Sequence, residues 1–446
     1  MGIKNIFISN VLEGYYQTYL SLPEKEKKYW IKHDFREANR AFFYGSDNKA
    51  IVTSYPINSA HFAYIKNLVG WKNVVNLYPK NPTPSICNDL VSGKAGEELV
   101  KIIKENPGLK IIAYRNSPEF FNLIESLRTK NLEFNTPESV TKEDQFIVRY
   151  AGSKRGFRHL WSVALVGKEY EKKLAIPYGF ITKDKVEAIE AGYWFRKRNR
   201  SFVVKYNFGV SGVGLIMFKK DFLPKDYISF KKYLERQMKD EIWNEPLTII
   251  EEMIDVDTNL FSGSPNVELC IDEEGGVRRS YSCEQVLDSD GKTFLGIYIN
   301  PEVTNSDYMK VGFEAGEIFG YELAKLGYRG IFDIDFVISK EGKLYAVESN
   351  LRRTGGTHTH EFCQSLLGEE YFYNYNVLSE DIHLKEKLKY QDFMSKFGDY
   401  KYNPNKKEGF ILFNADMLEV NIVSIMYIAK NKDHLEKIRS YIKTII

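Results

Sequence analysis

Asp335 and Glu348 stand thirteen residues apart in two β-rich runs, IFDIDFVIS and LYAVESN, joined by Lys-Glu-Gly-Lys. If Glu341-Gly342 makes a two-residue turn, the runs pair as a hairpin with Asp335 opposite Glu348 and Asp333 opposite Asn350. One face then reads Asp333, Asp335, Val337, Ala346, Glu348, Asn350. The other reads Ile334, Phe336, Ile338, Tyr345, Val347, Ser349 and suits a core. Carboxylates facing each other across a hairpin repel. A divalent cation offsets that repulsion, and hard oxygen ligands of this kind suit Mg²⁺ shared with phosphates. The competing reading is a solvated outer face neutralised by nearby Lys or Arg. The residues that follow favour the metal: Leu351-Arg352-Arg353-Thr354-Gly355-Gly356-Thr357-His358-Thr359-His360 puts cationic donors and a glycine loop at the acidic end of the hairpin.

Two further stretches carry chemistry of the same kind. In SFVVKYNFGVSGVGLIMF a β-rich run ends at Lys205, and Asn207, Gly209, Ser211, Gly212 and Gly214 form a loop before an apolar run resumes. A glycine-rich loop between strands lets backbone N–H groups approach phosphate oxygens, with Lys205 as a point charge beside them. It is not a Walker loop, because no GxxxxGK[ST] occurs; in isolation it reads equally as a flexible hairpin with a surface lysine. In LTIIEEMIDVDTN a β-rich run ends at Glu251-Glu252, followed by Met253 and Ile254. A backbone edge there suits an adenine and a carboxylate suits ribose hydroxyls, although paired glutamates are also common on surfaces.

Three regions must position these groups. Residues 1–145 alternate β-rich runs (48–54, 72–78, 109–114) with helical stretches such as 96–106, which predicts an α/β layer on a largely parallel sheet. No GxGxxG follows a strand, so a dinucleotide role has no support. Residues 146–375 carry three hairpin signals, within 201–218, 266–284 and 331–350, with a helical stretch at 309–327. Residues 376–446 read as a charged helical stretch (HLKEKLKY at 383–390), strands GFILFN and SIMYIA, and a last helix from about Lys432. The predicted fold class is therefore α/β followed by α+β, with antiparallel sheets in the second part.

Composition narrows the function. The 446 residues suggest two to four domains. Lys+Arg total 62 against 60 Asp+Glu, a net charge of +2, so the basic excess of a nucleic-acid-coating chain is missing. The basic run RKRNR at 196–200 reads as a solvated surface. Hydrophobic residues make up 43%, enough for packed cores. The four cysteines form no CxxC pair, which fits reduced thiols better than zinc or a disulfide framework. No apolar run approaches a membrane span, the N-terminal apolar run is too short for a secretory signal, and Ile6 stands where a myristoylation signal needs Ser or Thr. The expectation is a cytoplasmic protein with no membrane partner.

In their order these parts resemble the ATP-grasp superfamily of ligases: Lys154 in GSKRGFRHL before a helix, Lys205 before a glycine-rich hairpin, the acidic strand end Glu251-Glu252, then Asp335, Glu348, Asn350 and Arg352. The match covers roughly residues 150–365. Within the superfamily the chain is most similar to the pheganomycin-type peptide ligases, on IVTSYPI at 51–57, SPNVELCIDEEGGVRRSYSCEQVL at 264–287, ESNLRRTGGTH at 348–358 and, more loosely, GFILFNADMLEV. The resemblance implies a pre-ATP-grasp domain (1–145), an ATP-grasp domain (146–375, with its site between lobes 150–250 and 251–375) and a short C-terminal domain (376–446). It implies that Lys154 and Lys205 bind ATP phosphates, that Gly209, Ser211, Gly212 and Gly214 close over them, and that Glu251, Glu252, Met253 and Ile254 hold adenine and ribose. Asp335, Glu348 and Asn350 would ligate one or two Mg²⁺, or Mn²⁺ in its place. Arg352 and Lys205 would steady the transferred phosphoryl group, and His358, with His360 as the alternative, is the candidate base. The implied reaction phosphorylates a carboxylate for attack by an amine, on an amino acid or small peptide, with a homodimer compatible. A phosphotransferase acting on a hydroxyl and a nucleotide-binding regulatory module are the alternatives. Two departures stand out: Asp333 occupies the position of an arginine common in such ligases, and the extra residue in Arg353-Thr354 leaves the histidine register open.

Overall fold

The computed structural model describes all residues except 1, 168–172, 210–213, 290 and 292, together with the side chain of residue 399. Five parallel strands open the chain: Asn5–Ile8, Lys49–Val52, Val74–Leu77, Leu109–Ala113 and Phe134–Asn135, in spatial order third, second, first, fourth, fifth. The order reverses between the first and fourth strands, so their carboxyl ends open a crevice where chain after Ile8 and after Ala113 can reach a ligand. Ile6, Ile8, Ala50, Val52 and Ile111 bury one face of this sheet under its helices. On the other face, Phe7, Ile51 and Ile112 share a core with Phe362, Ile411 and Met426 from the far end of the chain. The α/β reading of residues 1–145 thus holds.

A four-stranded antiparallel sheet follows, ordered Gly179–Thr182, Thr248–Glu252, Phe202–Tyr206, Leu215–Phe218. The helices Lys185–Lys197 and Tyr227–Gln237 cover it through Phe195, Phe230 and Leu234, packed on Phe202 and Ile250.

The third sheet has nine strands, ordered Gly409–Asn414, Ile422–Ala429, Asn376–His383, Phe294–Ile299, Val277–Leu287, Pro265–Ile271, Gly330–Ile338, Leu344–Asn350 and Leu174–Ala175. Helix Asp307–Lys325 lies across it on a stripe of Gly312, Gly316 and Gly320. A Cβ on Gly316 would come within 2.9 Å of Leu269, so the stripe lets the helix approach the sheet closely. The last three strands extend this sheet rather than forming a separate one. The charged stretch 383–390 is not a helix, which corrects the sequence reading. His383 ends a strand that pairs with Ile422–Ala429, and helix starts only at Tyr390–Ser395. Residues 384–389 form neither helix nor strand: Lys385, Glu386, Lys387 and Lys389 are exposed and only Leu384 and Leu388 are half-buried, too little packing to hold a short helix.

The acidic hairpin forms with the expected pairs at its open end, Asp335 opposite Glu348 and Asp333 opposite Asn350. Its tip differs. The turn is a three-residue loop, Lys340–Gly342, closed by Ser339 N–H donating to Lys343 O (2.9 Å), with Gly342 at φ +77°. That loop moves the tip pairing by one residue, so Phe336 faces Ala346 and Ile338 faces Leu344. Ala346 and Leu344 therefore join the core, while Tyr345 and Val347 leave it, contrary to the predicted faces. A β-bulge at Val347 restores the register. Without it Val347 would face Asp335, and Glu348 would turn into the core beside Ile334. Among the described residues no helix is long and apolar enough to cross a membrane.

Candidate active site

Helix Lys154–Leu165 begins at Ser153, whose hydroxyl accepts from Gly156 N–H at 3.0 Å. This helix start is fastened to the chain leaving strand Phe202–Tyr206: Lys154 N–H donates to Asn207 O (3.0 Å) and Arg155 N–H to Asn207 Oδ1 (3.0 Å). The Lys154 ammonium then reaches two elements at once, donating to Gly209 O (2.8 Å) and standing 3.3 Å from Glu348 Oε1. It joins the glycine loop to the acidic hairpin. Gly214 closes the loop's far side at φ +75°, its carbonyl accepting from Tyr206 N–H at 2.7 Å. Ser211 and Gly212 lie outside the described residues.

Lys205 is buried at the end of its strand, 2.6 Å from Glu251 Oε2, and also donates to Val347 O, the carbonyl turned out by the bulge, at 3.4 Å. Arg158 Nη1 holds the other oxygen of Glu251 at 2.8 Å, and its Nη2 donates to Pro177 O. Glu252 points the opposite way, as strand alternation requires. Its Oε1 accepts from Tyr178 N–H at 2.9 Å, and Arg200 lies 3.6 Å from Oε2. Met253 N–H donates to Ser201 O (3.1 Å), and Ile254 follows, half-buried, where the strand has ended. Lys154, Lys205, Gly209, Glu251 and the hairpin are thus brought together, with Glu252 on the outer side of the same strand.

At the hairpin, Asn266 Nδ2 donates to Asp333 Oδ2 (3.0 Å) and Asp335 Oδ1 (2.7 Å), and Gln285 Nε2 also donates to Asp335. Asn350 Nδ2 donates to Asp333 Oδ1 (2.9 Å) and Asp335 Oδ2 (3.3 Å). Burial holds the Asp335 carboxyl well above the usual carboxylate range, and the charges of Asp333 and Glu348 push it the same way; burial raises Asp333 as well. Asp333 and Asp335 share the Asn266 amide and Glu348 stands opposite Asp335, and carboxylate oxygens are the donors a divalent cation takes, its charge offsetting their repulsion. Asp335, Glu348 and the Asn350 carbonyl oxygen would hold it.

Arg352 Nη2 donates to Asn350 Oδ1 at 2.9 Å, and its guanidinium lies 5.7 Å from the rings of both Tyr15 and Tyr114. Those tyrosines come from the segments that follow the first and fourth parallel strands, at the crevice noted above. Arg353 turns away into the interior, bridging Glu138 (2.9 Å) and Glu361 (3.0 Å). Gly14, Tyr15 and Arg115 on one side and Gly209, Glu348 and Arg352 on the other line a cavity of about 60 Å³.

The histidines do not reach this cavity. His358 is 1% exposed, its ring centroid 4.6 Å from that of Phe413; burial holds its pKa well below the ordinary imidazole value. His360 stacks on Tyr281 at 4.6 Å, exchanges a hydrogen bond with Tyr371 and is lowered by burial to about 3. Both sit in the first turn of helix Thr357–Leu367, facing the core.

Sequence reasoning missed Asn266, Gln285, Arg158, Tyr15, Tyr114 and Arg115. Asn266 had a signal: in PNVELCI it alternates with buried Val267, and Glu268 follows it on the same face, paired with Asp333. Tyr15 and Arg115 had none, because the site reaches them only through the crossing of two sheets.

No protein-family model matches the sequence. An L-propargylglycine–L-glutamate ligase of Streptantibioticus cattleyicolor is 32% identical over 126 residues, 27% of this chain; the chain spans 23% of that protein's length. Among solved structures, the biotin carboxylase of Campylobacter jejuni in a β-γ-ATP complex superposes with a TM-score of 0.55 at 13% identity, over 97% of this chain and 89% of that one. An N5-carboxyaminoimidazole ribonucleotide synthetase in complex with ADP gives 0.54 at 11% identity, over 99% and 97%. The Aspergillus clavatus N5-carboxyaminoimidazole synthase bound to ADP and its aminoimidazole ribonucleotide gives 0.53 at 11% identity, over 100% and 98%. In each case the likeness extends over 97–100% of this chain. The chain shares the fold of these proteins.

Proposed function

We propose that the chain is an ADP-forming carboxylate–amine ligase that activates an amino acid or small peptide acid as an acyl phosphate. The observation that carries this reading is the convergence of Lys154 on Glu348 and of Arg352 on Asn350 at the Asp335–Glu348 hairpin. Phosphoryl transfer needs concentrated positive charge and in-line positioning more than it needs a nucleophilic side chain. The match to a curated amino-acid ligase supports the same class.

Lys154 and Lys205 bind the phosphates of ATP, with Gly209 and Gly214 bounding the loop that covers them. Glu251, locked between Lys205 and Arg158, fixes the lysine at the end of its strand, and Glu252, Met253 and Ile254 form the edge that receives adenine and ribose. Asp335, Glu348 and Asn350 hold Mg²⁺, which supplies charge neutralisation for the phosphates. Arg352 faces the transferred group and the carboxylate that receives it, and its place between Tyr15 and Tyr114 excludes water from that side. The amine attacks the carbonyl carbon of the acyl phosphate, the C–O bond to phosphate breaks, and the amine's proton passes to the departing phosphate or to solvent. Neither His358 nor His360 takes part, because both rings are buried against aromatic side chains and neither lines the cavity.

Phosphorus NMR of the protein with Mg²⁺, ATP, pooled amino acids and hydroxylamine tests the reading. ADP and phosphate, with hydroxamate formed only when acids are present, are expected. A new phosphate ester beside ADP would overturn it in favour of a phosphotransferase.

A further inference from the structure

One cation at the cavity has no role in the chemistry above. Arg115 follows the fourth parallel strand, and its guanidinium has no hydrogen-bond acceptor and no acidic partner among the described residues. Its Cζ lies 5.5 Å from the Tyr15 ring centroid, on the ring whose centroid is also 5.7 Å from Arg352 Cζ. Two guanidinium groups thus flank one tyrosine at the wall of one cavity. Arg352 is engaged by Asn350 and by the carbonyl of Arg353, and Arg115 is not.

The chain is built to put Arg115 there. Asn10 clasps its backbone, Oδ1 accepting from Arg115 N–H (3.2 Å) and Nδ2 donating to Arg115 O (3.0 Å). Glu13 fixes Asn10 in turn, accepting from its Nδ2 at 2.8 Å, while Ser117 and the Cys87 N–H also donate to Glu13. The side chain then lies directly over Gly14, where a Cβ would stand 1.3 Å from Arg115 Nη1. Any other residue at 14 would expel the guanidinium from its position. A planar fork beside an aromatic ring, lining a cavity and without a protein acceptor among the described residues, matches a carboxylate in geometry and charge.

We propose that Arg115 anchors a non-reacting carboxylate of the substrate, so that the site selects a molecule bearing a carboxylate besides the one activated beside Arg352. This deepens the ligase reading and rests on it. The anchored group is either the α-carboxylate of an amino acid or an acidic side chain. An amide or ester in its place leaves the fork unmatched and is rejected.

Phenylglyoxal labelling of the wild-type protein, read at Arg115 by peptide mass mapping, tests this without turnover. Three additions are compared in the presence of Mg²⁺ and ADP: the twenty proteinogenic amino acids, the same pool as α-amides, and the α-amide pool lacking the Asp and Glu derivatives. The free-acid pool is expected to slow labelling at Arg115 at least fivefold. Protection lost in the α-amide pool assigns the α-carboxylate; protection kept there and lost on withdrawing the acidic members assigns the side chain. Equal labelling under all three additions overturns the proposal. Arg115→Met and Arg115→Lys are expected to raise the apparent KM for the free acid at least tenfold, with the Lys variant recovering less than half of the loss; an unchanged KM in both would overturn it too. Hydroxamate formation by the wild-type protein is a separate readout, so failure of the ligase reading is distinguished from failure of the anchor.

Discussion

Lys205 and Glu251 are diagonal neighbours on paired strands, and their charged groups meet at 2.6 Å in a buried position. Glu251 is shared with Arg158, so a single carboxylate serves two buried cations. Removing it strands both. Glu251→Gln is therefore expected to destabilise the protein by about 3 kcal/mol, more than Lys205→Met, which leaves Arg158 paired. Urea denaturation of the two variants checks the order; a larger loss in Lys205→Met would mean that Arg158 alone does not hold the glutamate.

Glu348→Gln is expected to abolish turnover and leave the fold intact. The wild-type protein should gain thermal stability from Mg²⁺ with nucleotide, and the variant should lose that gain. Differential scanning calorimetry with and without Mg²⁺ makes the comparison, and a variant that still responds like wild type would remove the hairpin from the metal site.

Arg352→Ala should lower kcat at least a hundredfold while nucleotide affinity changes by less than about threefold, because the guanidinium faces the transferred group rather than the base. Steady-state kinetics beside nucleotide titration would show it. A pure affinity defect would contradict its placement between Tyr15 and Tyr114.

Glu268 gives the pH prediction. It is fully buried across from Asp333, and burial pushes its carboxyl from 4.5 to about 8, against the hydroxyl bonds from Thr357 and Thr354. The folded state therefore binds a proton that the unfolded state releases between about pH 4.5 and 8. Its contribution favours folding at the acid end of that window and is lost as pH rises, by up to about 1.4 kcal/mol per pH unit. Glu268→Gln should flatten stability against pH over that range. Denaturation midpoints at four pH values in EDTA would test it, and parallel curves for the two proteins would refute it.

The hairpin register at Asp335 and Glu348 was legible in the sequence, yet through two compensating details. The three-residue loop at Gly342 shifted the pairing by one, and the bulge at Val347 shifted it back. Neither is visible in the pattern of apolar residues, since Tyr345 and Val347 look as fit for a core as Leu344 and Ala346. Strand positions for Lys205 and Glu251 followed from β-rich runs alone. The histidines misled because residue type suggested acid–base work, whereas helix Thr357–Leu367 turns both toward aromatic rings. Tyr15 and Arg115 were out of reach: only the crossing of the parallel sheet over the hairpin brings residues more than two hundred positions apart to one cavity.

The nine-stranded sheet has a consequence for where the chain can be cut. Strand Asn376–His383 covers the edge of Phe294–Ile299, and Ile422–Ala429 covers it in turn. A chain ending before Asn376 would leave the backbone donors and acceptors of Phe294–Ile299 open along a strand bearing Ile297 and Ile299, and an open edge of that kind recruits another copy. Residues 376–446 thus cover that edge, and a shortened form is expected to sediment as an oligomer even though every residue of the acidic hairpin remains.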